Sequence, residues 1–266
     1  MWRRLHDDLG RPVALAAPPR RMVSLVPSLT ELVCALGRGD RLVGVTRYCT
    51  EPPDVVAGLR QVGGTKNPDL SSIVALAPEL VLVNAEENRR EDFQSLMAAG
   101  LTVWVSFPRT VEQTAASIER LGEGLDATAA AAAVAREITA ALATPLSRRV
   151  RIFCPIWRKP WMSFNRDTYA DDLLRCAGGD NVCAGLTDRY PVVDLHTIAQ
   201  TDPQVILLPD EPYPFAERHR QALGPLLEGS AGRAGRVHLV DGKALSWYGP
   251  RTAAALRDFR RLLAGA

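Results

Sequence analysis

The residues best able to grip a ligand sit just beyond short apolar runs. In the first half of the chain these are Thr46-Arg47-Tyr48, Gly63-Gly64-Thr65-Lys66-Asn67, Glu86-Glu87 and Arg109. In the second half they are Trp157-Arg158-Lys159-Pro160-Trp161, Arg166, Tyr213 and Trp247-Tyr248. Tryptophan and tyrosine offer a flat apolar face with a polar tip, which suits a large, partly aromatic or macrocyclic molecule. Guanidinium groups such as Arg47, Arg158 and Arg166 fork onto carboxylate or phosphate oxygens. The expected ligand-binding set is Ser28, Arg47, Tyr48, Thr65, Lys66, Glu86, Arg109, Trp157, Trp161, Arg166, Tyr213, Trp247 and Tyr248. Trp104 lies inside an apolar run and reads as core.

Signals for catalysis are sparse. His6, His196, His219 and His238 are scattered without metal-ligand spacing, and no nucleophile elbow, dinucleotide fingerprint or phosphate loop occurs. The carboxylates that could serve an enzyme are Glu86, Glu87, Asp210 and Glu211. Binding without chemistry is therefore expected, with no catalytic residue, no metal site and no intrinsic cofactor.

These side chains must be held by regular elements. Met22–Val26 is an apolar run ending at Pro27, and Ser28-Leu29-Thr30-Glu31 has the form of a capping box before Leu32 and Val33. Further strand-length apolar runs at 41–45, 80–83 and 101–105 alternate with helical patterns, which predicts a mostly parallel sheet with covered faces. In such sheets ligands sit beyond the carboxyl ends of the strands. The segment DLSSIVALAPELVLV at 69–83 recurs as DLHTIAQTDPQVILL at 194–208, with Asp, Leu, Ile and Pro at the same offsets. Each copy reads as a short helix capped by aspartate, stopped before proline and returned as a buried strand. The expected organisation is an α/β lobe over 1–110, connecting helices over 111–147 with Asp126 as a cap, and a second α/β lobe over 148–266.

Composition narrows the partners. With 32 Lys plus Arg against 30 Asp plus Glu in 266 residues, the formal charge is +2, which gives no reason to expect nucleic acid. No apolar stretch is long enough to span a bilayer. Five cysteines without C-x-x-C spacing read as reduced and structural. The first twenty residues contain no apolar signal core, so a cytoplasmic protein is expected, or a periplasmic or cell-surface one if translation begins upstream.

As a set, the DDLGRPV turn, RMVSLVPSLTELVCALG, LVGVTRYCTEPP, PDLSSIVALAPELVLV, CAGGDNV and TDPQVILL resemble the periplasmic binding proteins of the cobalamin and iron-siderophore class. The TRYCTEPP loop and the aromatic segment from Phe153 to Phe164 look closest to cobalamin receptors. The resemblance implies two Rossmann-like α/β lobes joined by one long backbone helix, with a ligand cleft between them. It implies a monomer that binds a metal chelate, either a corrinoid such as cobalamin or a ferric siderophore or haem. A corrinoid- or tetrapyrrole-modifying enzyme on the same frame is the alternative. Transport-coupled members present a glutamate on each lobe to an ABC permease. Ser71 and His196 occupy those positions here, which argues against docking of that kind.

Overall fold

A computed structural model describes residues 3–146 and 148–265. The chain divides into two compact units. The first takes the chain up to Pro108 together with Glu112–Thr139, and the second takes Arg109–Val111 and everything from Ala140 onward.

The first unit opens with an antiparallel hairpin, β1 (Arg3–His6) and β2 (Pro12–Leu15). Its turn is closed by Asp7, whose carboxylate accepts the Leu9 and Arg11 N–H groups, and Gly10 supplies the left-handed residue at φ 72°. The elements that follow are β3 (Met22–Ser24), α1 (Pro27–Ala35), β4 (Leu42–Val45), α2 (Pro53–Val56), β5 (Arg60–Gln61), α3 (Leu70–Ala75), β6 (Leu80–Asn84), α4 (Arg90–Ala98) and β7 (Val103–Ser106). The five strands from β3 to β7 form one parallel sheet in the order β5-β4-β3-β6-β7. Buried on both faces, β6 reads as an unbroken apolar run rather than an alternating one. Val23, Leu25, Ile73, Val81, Val83, Leu96 and Val105 form the core on one side of this sheet. Trp104 is fully buried, as its place in an apolar run predicts.

Helices α5 (Val111–Gly124) and α6 (Thr128–Leu142) follow. Asp126 lies two residues before the first residue of α6, Thr128. It adopts a left-handed conformation, φ 58°, in the turn where Ala127 N–H reaches back to the Gly122 carbonyl. Gly122 is needed there, because a Cβ would lie 2.2 Å from the Cβ of Ala131. The chain passes from the first unit to the second within α6, at Thr139–Ala140.

The second unit contains β8 (Val150–Phe153), α7 (Tyr169–Cys176), β9 (Gly179–Asn181), α8 (Leu195–Gln200), β10 (Val205–Pro209), α9 (Ser230–Arg233), β11 (Val237–Val240), α10 (Gly242–Ser246) and α11 (Thr252–Ala264). Its four strands are also parallel, in the order β11-β10-β8-β9. Phe153, Leu195, Ile198, Ile206, Leu208, Phe215 and Leu223 pack into its core. At about 1.5–3 kcal/mol for each fully buried large side chain, such clusters dominate the stability of each sheet.

The internal repeat survives in three dimensions. Asp69 caps α3 by accepting Ser72 N–H at 3.0 Å, and Asp194 caps α8 by accepting Thr197 N–H at 2.9 Å. Ala77 (φ 45°) and Asp202 (φ 44°) turn the chain by the same left-handed step before Pro78 and Pro203. Strands β6 and β10 follow and occupy equivalent places, each paired to the central strand of its sheet.

Candidate functional site

Both sheets reverse direction at one point. From β3 the chain winds out to β4 and β5 and then returns to β6 on the other side; from β8 it winds to β9 and returns to β10. Loops diverge where the winding reverses, and in parallel sheets the carboxyl-end crevice there is the usual ligand seat. The loops after β3 and β6, and those after β8 and β10, therefore define the surfaces to inspect.

In the first unit, those loops are tied together by two asparagines. Asn88 Nδ2 donates to the Leu25 carbonyl at 3.2 Å and the Thr65 carbonyl at 2.9 Å, and its Oδ1 accepts Asn84 N–H at 2.8 Å. Asn84 Oδ1 in turn accepts the N–H groups of Glu86 and Glu87 at 2.7 and 2.9 Å, and its Nδ2 donates to the Ser106 carbonyl. Three strand ends are thus locked by two buried side chains. Lys66 Nζ donates to the Glu86 carbonyl at 2.8 Å, which joins the loop before α3 to the loop after β6. The guanidinium of Arg47 lies 5.2 Å from the centroid of the Tyr48 ring, which is 51% exposed. Gly64 permits that pair to lie against the loop, since a Cβ would come within 2.5 Å of Asn67 Oδ1 and 3.1 Å of Arg47 Nη2. Arg47, Tyr48, Thr65, Lys66 and Glu86 are thus brought to one end of one sheet.

Ser28 stands apart from the capping role its sequence suggests. Pro27, pre-set in φ, takes the first helical position, so the helix starts two residues early and Val26 becomes the N-cap without a side-chain bond. Ser28 is 1% exposed and its hydroxyl has no hydrogen-bond partner.

In the second unit, β8 leads into a basic aromatic hairpin. Ile156 N–H donates to the Met162 carbonyl and Met162 N–H to the Trp157 carbonyl, with Lys159 left-handed at the tip. Trp157, 43% exposed, meets the ring of Tyr213 edge-on at 5.5 Å. Trp161 stacks on Phe215 at 5.8 Å and 6°, and Tyr213 packs on Phe215 at 4.6 Å. His219 closes the cluster: its Nδ1 accepts Ala216 N–H at 2.9 Å, and its Nε2 lies 3.4 Å from the Tyr213 hydroxyl. Asn165 ties this region as Asn88 ties the other, donating to the Leu186 and Thr187 carbonyls and accepting Asp167 N–H.

Other expected residues are placed differently. Arg109 forms an exposed ion pair with Asp167 at 2.7 Å, and Arg166 Nε donates to the Ala184 carbonyl at 2.9 Å. Trp247 and Tyr248 are only 7% and 6% exposed. Trp247 lies under Lys243 and Arg251, while Tyr248 packs edge-on against Tyr169, so both offer little surface to a ligand. Of the carboxylates considered for catalysis, Asp210 accepts Gly242 N–H at 2.7 Å. Burial holds the Glu211 carboxyl above its ordinary range, opposed by Lys243. Among the described residues no group of three or more His, Cys, Asp or Glu is arranged to hold a metal ion.

Among the described residues, the large apolar side chains left exposed beyond strand ends include Tyr48 after β4, Trp157 after β8, and Leu186, Tyr190 and Val192 after β9. Asn88, Phe215 and Val192 were not foreseen from sequence. For Asn88 a signal existed in the Asn-x-x-x-Asn spacing across a strand end; for Val192 there was none, because its exposure depends on the bridge between Met162 and Val192.

Residues 22–221 match the family described as periplasmic binding protein, and the chain belongs to that family. It is 30% identical over 200 residues to the vitamin B12-binding protein of Photorhabdus laumondii, covering 73% of this chain and 72% of that protein. Its structure is similar to the periplasmic vitamin B12 binding protein BtuF of Vibrio cholerae, with a TM-score of 0.80, 25% identity and coverage of 93% and 97% of the two chains. It is also similar to the periplasmic heme-binding protein BhuT in complex with two hemes, with a TM-score of 0.80, 27% identity and coverage of 92% and 98%. These findings correct the cytoplasmic expectation, since the family and both solved relatives are periplasmic. The five cysteines form no disulfide, and burial pushes the Cys34 and Cys176 thiols up to about 11, which keeps them protonated and slow to oxidise.

Proposed function

We propose that this chain is a periplasmic receptor that binds a corrinoid of the cobalamin type without transforming it. The observation that carries the reading is the concentration of exposed aromatic surface, led by Trp157 and Tyr48, on loops beyond the carboxyl ends of two parallel sheets. The vitamin B12-binding relatives support the corrinoid. In the second unit Trp157, backed by Tyr213 and Phe215, is a flat apolar platform of the kind a macrocycle stacks on; in the first unit Arg47 and Lys66 carry donors of the kind that polar side arms accept. Haem is the second reading, favoured by the likeness to a protein holding two hemes. Delivery to a permease would use groups other than glutamates on α3 and α8, where Ser71 donates its hydroxyl to Asp69 at 2.6 Å and His196 follows Asp194.

The test is a tryptophan-fluorescence titration of the purified protein with cyanocobalamin, dicyanocobinamide, haem and a ferric siderophore, repeated on Trp157→Ala. Saturable quenching by the corrinoids, weakened about tenfold or more by the substitution, is the expected result. Quenching by haem alone would replace the first reading with the second. Recovery of a chemically altered corrinoid would overturn binding without catalysis.

A further inference from the structure

We infer that the amino end of α1 is the seat for an acceptor oxygen on a projecting side arm of the ligand, with the Ser28 hydroxyl as its side-chain donor. The inference rests on the reading above and names the group that the first unit recognises. Three observations converge on it. Strand β3 is where the winding of its sheet reverses, so the helix that follows it starts at the ligand end of the crevice. That helix spans nine residues, has no side-chain cap, and carries no acidic residue in its first turn. The N–H groups of Ser28 and Leu29 precede the first intrahelical bond, which Thr30 donates to Val26, and they point with the positive end of the helix dipole.

The third observation is the Ser28 hydroxyl itself. It is buried and without a partner, a state that costs free energy unless something accepts from it. The usual local solution was open, because Ser28-x-x-Glu31 has the letters of a capping box; Pro27 forecloses it by moving the helix start. The first turn thus carries three donors, the Ser28 and Leu29 N–H groups and the Ser28 hydroxyl, and helix ends of this kind receive phosphate and carboxylate oxygens. Since Ser28 is only 1% exposed, a ring face does not fit this seat. A terminal amide or carboxylate oxygen on a flexible arm does, and corrinoids and haem both carry such arms. Asn88 holds the adjoining strand end by its bond to the Leu25 carbonyl.

The experiment compares wild type with Ser28→Ala in two assays. Titration with dicyanocobinamide, followed by tryptophan fluorescence, should show a dissociation constant about fivefold larger in the variant. Thermal unfolding of the same variant should be unchanged or higher, because an unpartnered hydroxyl is removed; a purely structural serine would give the opposite sign. Equal affinities in wild type and variant would overturn the seat while leaving corrinoid binding intact. If wild type binds no corrinoid, the function proposed above fails, and the seat is decided by titrating acetate into isotope-labelled protein. Shifts of the Ser28 and Leu29 amide resonances, reduced in the variant, would uphold it, and their absence would refute it.

Discussion

The two units share a framework and differ in what they place on it. The order β4-β3-β6-β7 in the first corresponds to β9-β8-β10-β11 in the second, and each has an aspartate-capped helix, a left-handed step and a proline before the strand that returns beside the centre. At the carboxyl ends they part. The first unit gathers polar groups there, with the buried Asn84 and Asn88 as locks and the exposed Arg47 and Lys66 beside them. The second presents stacked rings on a hairpin. A repeated scaffold can therefore be read from its repeated letters, whereas the loops beyond its strands have nothing to repeat.

The comparison is sharpened most by removing the locks. Asn88→Ala leaves two carbonyls and one N–H without their partner, and a loss of about 2–3 kcal/mol in urea denaturation is expected, with faster hydrogen exchange at Gly64 and Asp69. Asn165→Ala should cost a similar amount, with exchange rising at Asp167 instead. If either loss is absent, the two asparagines are not equivalent devices. Gly64→Ala comes next: the new methyl displaces the Asn67 or Arg47 side chain, and about 1–2 kcal/mol of stability should be lost, together with corrinoid affinity measured by fluorescence.

The smallest effect is one of pH. Burial raises the Glu211 carboxyl in the folded state, so the folded protein holds that proton more tightly than the unfolded chain does. Stability from this group is full at pH below the ordinary carboxylate value of 4.5 and falls as pH rises toward the raised folded value. In Glu211→Gln this decline disappears. The variant should gain on wild type between pH 4 and pH 7, by no more than about 1 kcal/mol because the group is partly solvated. Denaturation midpoints across that range check it, and a parallel pair of curves would contradict it.

Much of this was legible in advance. Alternating runs and the aspartate-to-proline repeat revealed two parallel sheets, and the exposure of Tyr48 and Trp157 accords with positions that follow a strand and adjoin a polar residue. Trp247 and Tyr248 share those neighbours, yet the cations over Trp247 and the Tyr169 ring against Tyr248 bury them, and no local pattern reports contacts supplied by distant residues. Ser28 carries the same lesson at shorter range, since one proline shifts the register of a cap. The site of residence was misread because the chain's opening residues speak only for themselves, while family membership speaks for the compartment.

One feature near the end of the chain bears on how the protein is made. Arg260 on α11 spreads its guanidinium over the last carbonyls of two earlier helices, Ala141 of α6 and Cys176 of α7. Those carbonyls carry the negative ends of their helix dipoles, and a cation is the group that settles them. During synthesis the helices are complete more than eighty residues before their clasp is translated. The second unit therefore gains this clasp only with its last helix, whereas every strand and helix of the first unit's sheet precedes it in the chain.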